Sequence, residues 1–410
     1  MSNISRTDRQ RIGIKKWANC GGHGVLEYAT GVGKTTTSLM LIQSMYKRNP
    51  QFSVLIAVPT EVLKEQWNNA LIKWKLFNIC KVEIFNTIIR HSYDVDLFVV
   101  DEVHLSPSPS YILMYDCVKY RYLLGLTATW ERLDGAQQRL LPYMQICDTI
   151  TLTDALENGW VSQYRNYKVL IDVDLAEYDR INHKFQSIFS VFGHDFKLIM
   201  DLIQHPVKVA KWAKNRGLEV NVVRGYLATF MRLLKQRKSF VMSHPKKFEL
   251  ANKILDYRPN KKIIIFSATV KDAEQFKSRA LILHSQKKKA ENRAILDKFN
   301  KMDIGVIASP KSLNAGVDVK GLSVGIGITC DSSITTYTQK CGRICRLEEN
   351  KIAEMFTLII KGTIEENWYN NCNKGQSYIP ITEDQLDLIL KGQELSIRPR
   401  SSISDINHRY

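Results

Sequence analysis

Short apolar runs alternate with helix-like stretches through about the first 155 residues of the chain. The runs have the length of single β-strands and are bounded by polar or turn-forming residues. They occupy residues 25–29, 53–59, 82–87, 96–102 and 122–129. Strands that alternate with helices in this way indicate a parallel sheet with flanking helices.

The alternation stops between residues 160 and 250 and then resumes. This middle stretch opens with an extended run and then places aromatic and aliphatic residues at helical spacing, which favours a packed helical unit. Further strand-like runs follow at 262–267, 280–284, 304–309, 324–329 and 355–360. The pattern predicts an α/β protein with two parallel-sheet lobes in tandem and a helical linking region. The predicted divisions are 1–160, 161–250, 251–372 and a C-terminal tail at 373–410, whose polar end at 396–410 is expected to be flexible.

The charge balance indicates a polyanionic partner. The 410 residues include 58 Lys and Arg against 41 Asp and Glu, a formal net charge of +17, and the pI is about 9.4. This excess is larger than solubility requires, and it favours nucleic acid. An anionic membrane is the alternative, but no apolar run is long enough to span a bilayer. Residues 1–10 lack the apolar core of a signal peptide, so an intracellular protein is expected.

The eight cysteines are scattered and contain no C-x-x-C pair. Such thiols stay reduced in an intracellular protein. Four of them, Cys330, Cys341, Cys345 and Cys372, fall in the C-terminal part. A zinc or iron–sulfur site there is one interpretation, although the spacings are irregular, and buried inert thiols are the other.

Residues 29–36 read A-T-G-V-G-K-T-T, between a predicted strand and a predicted helix. Gly31 and Gly33 allow a tight turn that points successive backbone N–H groups at a phosphate. Lys34 brings a positive charge to the β- and γ-phosphates, and the Thr35 hydroxyl can ligate Mg²⁺. The helix that follows adds its positive dipole end. We interpret the segment as an ATP-binding phosphate loop, with Thr30, Gly31, Val32, Gly33, Lys34, Thr35 and Thr36 as candidate contacts.

Residues 99–104 read V-V-D-E-V-H and follow an apolar stretch. An α/β sheet presents its catalytic groups at the carboxyl ends of its strands. Asp101 is predicted to hold Mg²⁺, and Glu102 to polarise the attacking water. Two acids also end many strands without any chemical role. The phosphate loop upstream favours the catalytic interpretation.

With these motifs in place, the chain resembles the superfamily 2 helicases over residues 6–372. The resemblance implies two RecA-like lobes with the nucleotide between them, and D-E-V-H places the chain in the DExH group. It also implies that Gln10 reads the adenine base. The family often has an aromatic residue before this glutamine, whereas here Arg9 precedes it.

The resemblance extends to the surface that binds nucleic acid. Residues 58–67, V-P-T-E-V-L-K-E-Q-W, and 86–90, N-T-I-I-R, are similar to motifs that contact phosphates. The implied contacts are Pro59, Thr60 and Thr87. In the same family, the positions of His104, Thr127 and Thr129 couple hydrolysis to strand movement.

The second predicted lobe carries the remaining motifs. Residues 263–267, I-I-I-F-S, and 308–319, A-S-P-K-S-L-N-A-G-V-D-V, resemble the segments that place Ser267 and Ser309 against nucleic acid and Asp318 at the ATP site. Residues 337–346, Y-T-Q-K-C-G-R-I-C-R, resemble the motif Q-x-x-G-R-x-x-R.

That last motif has a chemical interpretation of its own. On a helix, Gln339, Arg343 and Arg346 share one face. From there the two arginines can neutralise the charge that develops at the γ-phosphate in the transition state. The alternative is an exposed basic helix face without a catalytic role.

A narrower likeness is carried by residues 125–135, G-L-T-A-T-W-E-R-L-D-G. They are similar to G-L-T-A-T-P-E-R-x-D-G of the XPB-like branch, to which phage helicases of the UvsW type are related; Trp130 replaces the proline. The likeness implies a 3′ to 5′ DNA helicase that acts on forked or branched DNA in replication, recombination, branch migration or repair. The chain starts close to the glutamine motif, and this compactness is typical of a viral protein in a bacterial or phage-infected cytoplasm.

The function hypothesis is an ATP-dependent DNA helicase or translocase that uses Mg²⁺ and is a monomer. An RNA helicase is one alternative, because the core motifs bind the phosphate backbone of either polymer. A double-stranded DNA translocase that never separates strands is a second. A DNA-binding scaffold with a silent ATP site is a third, and the presence of Glu102 argues against it.

Residues 205–247 are densely basic, with few acids between the lysines and arginines. Such a stretch contacts DNA outside the main track, or it is the solvated face of a helical unit.

Overall fold

The first lobe is a parallel sheet covered by helices. The structure, a computed structural model, describes residues 4–132, 134–310, 319, 321–330, 344, 352–373 and 377–401. The strands of this lobe are β1 (His23–Tyr28), β2 (Val54–Val58), β3 (Cys80–Ile84), β4 (Tyr93–Asp101), β5 (Val118–Thr127) and β6 (Ile146–Ile150). Their order in the sheet is β3-β2-β4-β5-β1-β6. The helices are α1 (Arg6–Asn19), α2 (Lys34–Arg48), α3 (Glu61–Lys73), α4 (Phe85–Ile88), α5 (Met114–Cys117) and α6 (Leu152–Glu157).

Strand β4 shows why this sheet is buried on both faces. Leu97 and Val99 belong to the core beneath α1, α2 and α3. Phe98 and Val100 belong to the core on the opposite face, beside α4 and α5. A strand covered on both sides needs apolar residues at every position, and this is the pattern that residues 97–100 show.

Strands β1 and β4 are the two neighbours of β5. Glu27 of β1 pairs with Thr127 of β5, and Asp101 of β4 pairs with Leu126 of β5. Because the three strands are parallel, their carboxyl ends meet at one edge of the sheet. The phosphate loop, the acid pair and residues 127–129 (the T-A-T segment) are therefore neighbours at that edge.

A separate helical unit follows the strand β7 (Gln163–Ile171). Its helices are α7 (Ala176–Val191), α8 (Phe196–Gln204), α9 (Pro206–Asn215) and α10 (Val220–Met242). They enclose a core of their own, in which Phe185 and Phe230 stack with their ring centroids 4.8 Å apart. The aromatic residues at helical spacing are core residues, as the sequence pattern predicts.

The second lobe is a larger sheet. Besides β7, its strands among the described residues are β8 (Lys262–Ser267), β9 (Leu281–Ile282), β10 (Gly305–Pro310), β11 (Val324–Gly327), β12 (Ile352–Ile360), β13 (Ser377–Thr382) and β14 (Arg400–Ser401). The order is β14-β13-β7-β12-β11-β8-β10-β9. The helices whose bounds lie within the described residues are α11 (Pro245–Tyr257), α12 (Val270–Glu274), α13 (Lys289–Lys301), α14 (Ile364–Cys372) and α15 (Glu383–Leu390). Two parallel-sheet lobes confirm the predicted fold class.

The second sheet includes segments on both sides of the predicted range 251–372. Strand β7 lies within the predicted linking region, yet it pairs with β12 over its whole length and also with β13. Residues 377–390, within the predicted tail, form β13 and α15, and Leu386 is fully buried. These segments belong to the lobe because their apolar residues fill the core beside β12.

A buried ion pair fastens α11 to α14. Lys247 and Glu365 are both fully buried, and the lysine Nζ lies 2.6 and 2.7 Å from the two carboxylate oxygens. The same Nζ donates to the carbonyl of Ile328 at 2.9 Å. Removing either partner would leave the other charge buried without compensation, which is strongly destabilising.

In the described part of the chain, none of the helices combines the length and the apolar character that crossing a bilayer requires.

Candidate nucleotide and nucleic-acid site

The phosphate loop has the strand–loop–helix geometry that its motif requires. It leaves β1 at Tyr28, and α2 begins at Lys34. Gly31 and Gly33 have φ of 93° and 99°, in the left-handed region that glycine tolerates. No side chain caps the N-terminus of α2, so its backbone N–H groups are available to an anion.

Gln10 supports this loop from behind. Its Nε2 donates to the carbonyl of Val32 at 2.8 Å, and the residue is 2% exposed. A Cβ on Gly33 would lie 2.5 Å from that Nε2, so a larger residue there would push the amide away from Val32, in addition to the strain that the φ of 99° would impose. Gln10 therefore holds the phosphate loop directly, beside the adenine contact that the family resemblance implies.

Lys34 and the acid pair lie at the same edge of the sheet. Lys34 Nζ donates to the carbonyl of Tyr28 at 3.1 Å. Asp101 is 5% exposed, and burial followed by the charge of Glu102 raises the pKa of its carboxyl to about 6. The ammonium of Lys34 and a hydrogen bond from Trp67 oppose that rise.

Glu102 adopts a left-handed backbone conformation, with φ 50° and ψ 47°. Non-glycine residues take this conformation only where the surrounding structure requires it. Its Oε2 atom is buried and has no hydrogen-bond partner among the described residues, although His104 Nδ1 lies 3.4 Å away. A strained residue that presents an uncommitted carboxylate oxygen is consistent with the predicted role in activating water.

His104 connects the acid pair to β5. Its Nδ1 lies 3.1 Å from Thr127 Oγ1, and that hydroxyl donates to the carbonyl of Thr129 at 2.8 Å. Burial, followed by the charges of Arg132 and Lys34, lowers the pKa of His104 to about 4, so the imidazole is neutral at pH 7. The three predicted coupling residues therefore form one hydrogen-bonded chain.

The residues at this edge fit a divalent cation bound with ATP. Magnesium prefers hard oxygen ligands, and it usually takes one or two carboxylates together with phosphate oxygens. Asp101 supplies a carboxylate, and Thr35 supplies a hydroxyl in the first turn of α2. Glu102 is the residue after Asp101, and its Oε2 has no hydrogen-bond partner among the described residues.

The predicted nucleic-acid contacts of the first lobe lie at the ends of β2 and β3. Pro59 and Thr60 follow β2, and Thr60 caps α3 by accepting a hydrogen bond from the backbone N–H of Leu63 at 3.3 Å. Thr87 lies in α4, directly after β3. These residues therefore share the carboxyl edge of the sheet with the phosphate loop.

In the second lobe, Ser267 and Ser309 lie near the carboxyl ends of neighbouring strands, β8 and β10. Both are buried. Ser267 Oγ donates to the carbonyl of Thr269 at 3.2 Å, which shapes the turn into α12. The strands β8 and β10 end close to the predicted positions. The hydroxyls of Ser267 and Ser309 donate to the carbonyls of Thr269 and Pro310, rather than pointing into solvent.

Four predicted site residues, Asp318, Gln339, Arg343 and Arg346, lie outside the described residues, as do Cys341 and Cys345. Cys330 and Cys372 are described and buried, with their Sγ atoms 3.3 Å apart. Within the described ranges no three His, Cys, Asp or Glu residues come together as a metal site would need.

Two residues support the site through contacts that the motifs do not predict: Trp67, which ends the motif at residues 58–67, and Asp148, which lies in none of the motifs. Trp67 Nε1 donates to Asp101 Oδ2 at 2.8 Å. Asp148, on β6, accepts hydrogen bonds from Arg9, Lys16 and Tyr28, and it thereby fastens α1 to the sheet. The helix approaches closely there, because a Cβ on Gly13 would lie 1.6 Å from the Tyr28 hydroxyl oxygen.

The basic stretch 205–247 divides into buried and exposed cations. Lys247 is in the buried ion pair, and Arg237 is 7% exposed with its guanidinium carbon 4.1 Å from the Phe185 ring centroid. The exposed residues Arg232, Lys235 and Lys238 recur every three positions along α10. That spacing places them along one side of the helix.

Two family models match the chain. Residues 3–91 match the model described as type III restriction enzyme, res subunit, and residues 246–348 match the helicase conserved C-terminal domain. The first match covers Gln10, the phosphate loop and Thr60. The second covers the motifs of the second lobe.

Two relatives align with most of the chain. The DNA 3′-5′ translocase XPB2 of Sulfurisphaera tokodaii is 25% identical over 386 residues, which is 88% of this chain and 83% of the relative. Putative helicase 22 of a Sulfolobus islandicus filamentous virus is 20% identical over 389 residues, 86% of this chain. The alignment spans 63% of the viral protein, somewhat less than two thirds of its length.

Solved structures share the fold. Dbp5 of S. cerevisiae bound to RNA and ADP BeF3 has a TM-score of 0.61 at 13% identity, with 93% of this chain and 91% of that chain covered. The Hef helicase domain of Pyrococcus furiosus has a TM-score of 0.51 at 16% identity, with 88% and 96% covered. The type ISP restriction-modification enzyme LlaBIII bound to DNA has a TM-score of 0.57 at 15% identity, with 89% and 29% covered. At such identities the likeness concerns the fold, which is that of two RecA-like lobes.

Proposed function

We propose that this chain, a superfamily 2 helicase of the XPB-like branch, couples ATP hydrolysis to 3′ to 5′ movement along DNA. As a member of that superfamily it is an ATP-dependent helicase or translocase that binds nucleic acid. The choice of DNA and of polarity rests on its similarity to a DNA 3′-5′ translocase. The net charge of +17 supports a polyanionic track.

One observation carries the proposal: the carboxyl edge shared by β1, β5 and β4. The phosphate loop, the T-A-T segment and the acid pair meet there, and His104 joins the last two through Thr127. An ATP site alone needs no such link. A motor needs one, because nucleotide-dependent changes at Glu102 must reach the segment after β5.

We propose the following roles at this edge. Lys34 and the loop backbone hold the β- and γ-phosphates, Gln10 supports the loop, and Glu102 orients the attacking water. Magnesium, held through Asp101 and Thr35, would neutralise phosphate charge. Thr30, Gly31, Val32, Gly33 and Thr36 complete the loop.

From the motifs of the second lobe we propose that Arg343 and Arg346 reach the γ-phosphate when the lobes close, with Gln339 and Asp318 beside them. Pro59, Thr60, Thr87, Ser267 and Ser309 would then lie along the nucleic-acid track. As sequence divisions we propose 1–160, 161–250, 251–372 and 373–410. The second lobe as a folded unit is larger than the third range, because it also takes in β7 and residues 377–390.

We further propose that the protein acts as a monomer in the cytoplasm, on forked or branched DNA, in replication, recombination or repair. The stripe Arg232, Lys235 and Lys238 on the helical unit would contact the second arm of such a substrate, because it is an exposed row of cations with regular spacing.

The test is ATPase activity measured with single-stranded, duplex, forked and four-way DNA, each against RNA of the same sequence. We expect the largest stimulation with forked or four-way DNA. Displacement of a labelled strand from duplexes with a 3′ or a 5′ tail then measures polarity, and only the 3′ tail should support it. Stimulation by RNA alone would favour the RNA helicase. Duplex stimulation without strand displacement would favour the double-stranded translocase.

A further inference from the structure

Asp101 is held by one hydrogen bond on each carboxylate oxygen. The backbone N–H of Glu102 donates to Oδ1 at 2.9 Å, and the indole of Trp67 donates to Oδ2 at 2.8 Å. Trp67 is 1% exposed. The two donors together fix the rotation of the carboxylate. One is the next residue in the chain, whereas Trp67 belongs to a separate helix, α3, that covers the sheet.

That element, α3, begins at the proposed nucleic-acid contact. Thr60 caps the helix, and Trp67 lies seven residues further along it, about 10 Å at 1.5 Å per residue. Leu63, Trp67 and Leu71 form its buried face. A helix packed along such a face moves as a unit, so a displacement of its N-terminus is passed to the indole.

Helix α3 also makes two ion pairs on its outer side. Lys64 pairs with Glu83 of β3 at 2.7 Å. Glu65 pairs with Arg293 of α13, which belongs to the second lobe. The helix therefore contacts three regions: the proposed nucleic-acid edge at Thr60, the second lobe through Arg293, and the proposed metal ligand Asp101.

A buried indole N–H needs an acceptor in any protein, and a backbone carbonyl usually serves. Trp17, also 1% exposed and in the same core, donates to the carbonyl of Leu123 at 3.0 Å. Trp160 donates to the carbonyl of Ile4 at 3.1 Å. Trp67 differs from both because its acceptor is a carboxylate of the ATP site.

We propose that Trp67 is a positioning residue through which nucleic acid bound at the start of α3 sets the orientation of Asp101. The inference rests on the proposed function, since it assumes that Asp101 holds the metal and that Thr60 meets a phosphate. Nucleic acid bound at Thr60 displaces α3, and the Trp67 indole N–H then reorients the Asp101 carboxylate. The affinity of the protein for the metal–nucleotide complex changes as a result. By linkage, metal–nucleotide changes the affinity for nucleic acid by the same factor.

The test compares Trp67→Phe with Trp17→Phe. Each substitution keeps a buried aromatic ring and removes one indole hydrogen bond from the same core, and thermal unfolding shows that both variants are folded before they are compared. The first readout is the affinity for the Mn²⁺ complex of a non-hydrolysable ATP analogue, followed by the EPR signal of free Mn²⁺, with and without saturating single-stranded DNA. The second is the reciprocal measurement, DNA affinity with and without that complex.

In the wild type and in Trp17→Phe, DNA should change the Mn²⁺–analogue affinity by a common factor. In Trp67→Phe that factor should approach one, and the stimulation of kcat by DNA should fall about tenfold or more, as expected for the loss of a hydrogen bond to a charged group. The KM for ATP at saturating Mg²⁺ should change less than kcat.

Equal coupling factors in the two variants would overturn the inference while leaving the proposed function intact. Failure of the proposed function is recognised in the wild type alone, as ATPase activity that no DNA or RNA stimulates. In that case no nucleic-acid signal passes through α3, and both the proposed function and this inference are refuted. If RNA is the polymer that stimulates, the same comparison is made with RNA.

Discussion

Replacing Asp148 by asparagine tests how α1 is fastened beneath the phosphate loop. The carboxylate is 1% exposed. Its Oδ1 accepts from Arg9 Nη2 at 2.9 Å and from Lys16 Nζ at 2.7 Å. Its Oδ2 accepts from Arg9 Nη1 at 2.5 Å and from the Tyr28 hydroxyl at 2.8 Å. Three donors, two of them on α1, thus converge on one group of β6.

The magnitude follows from what asparagine can replace. Its one carbonyl oxygen should turn toward Tyr28, because that hydroxyl is buried and has no water to bind instead. The amide NH₂ then faces Arg9 Nη2 and Lys16, and both contacts are lost. A hydrogen bond between charged groups contributes about 1.5–3 kcal/mol. The pair with Lys16, half exposed, contributes about 0–1 kcal/mol. We expect the free energy of unfolding to fall by about 2–4 kcal/mol.

Urea unfolding at pH 7 measures this loss. Asp94→Asn is the matched control, because Asp94 also pairs with a lysine, Lys119, but both side chains are exposed; its stability should stay close to that of the wild type. Burial alone would raise the pKa of Asp148, yet the hydrogen bonds from Arg9, Lys16 and Tyr28 hold it below its usual value. A carboxyl with a lowered folded-state pKa stabilises the fold above its unfolded pKa, about 3.9, and loses that contribution as the pH falls through the folded pKa. The gap between the wild type and Asp148→Asn should therefore narrow below about pH 4.

The same substitution should affect ATP binding more than chemistry. Helix α1 carries Gln10, whose Nε2 holds the carbonyl of Val32 in the phosphate loop. A loosened α1 should raise the KM for ATP and leave kcat nearly unchanged, because the catalytic groups are on other elements. A stability loss no larger than that of Asp94→Asn, or a fall in kcat with KM unchanged, would refute the reasoning.

The remaining predictions concern the ATP site and the helical unit. Lys34→Ala should abolish ATP turnover and leave DNA binding near that of the wild type, by steady-state ATPase and filter binding; undiminished hydrolysis would contradict the phosphate-loop assignment. Glu102→Gln should turn over at least about a hundredfold more slowly yet keep its nucleotide affinity, because only the carboxylate that orients water is lost; a lost affinity with an unchanged rate per bound ATP would show another role. Alanine at Arg232, Lys235 and Lys238 together should flatten the slope of log DNA affinity against log salt. An unchanged slope would mean that the stripe is only a solvated face.

The sequence pattern predicts the strands of both lobes well where apolar runs are continuous. Residues 53–59 and 262–267 contain β2 and β8, and the phosphate loop lies between β1 and α2 as its motif requires. Parallel strands buried on both faces leave this signal because every position is apolar. The predicted run 82–87 is less accurate: β3 ends at Ile84, and α4 begins at Phe85.

Other features leave no local signal. Strand β13 is short and contains Pro380, and its partner β7 precedes it by some two hundred residues, so only tertiary pairing identifies it. The Trp67–Asp101 and Asp148–Arg9 contacts join residues 34 and 139 positions apart, and neither pair falls within one motif. Arg237 is buried, whereas the cations next to it in the same basic stretch are exposed. The composition of the stretch does not show which of its cations face a core, because that depends on packing.

The pairing of β7 with both β12 and β13 has a practical consequence for cutting the protein into fragments. A fragment that starts at residue 251 would keep β12 and β13 but leave a strand-wide gap between them, opening two long edges in the middle of an apolar sheet. Such edges pair with other chains, so this fragment should aggregate. A second-lobe fragment with a complete sheet has to start before Gln163, and it then includes the helical unit, because that unit lies in the chain between β7 and β8.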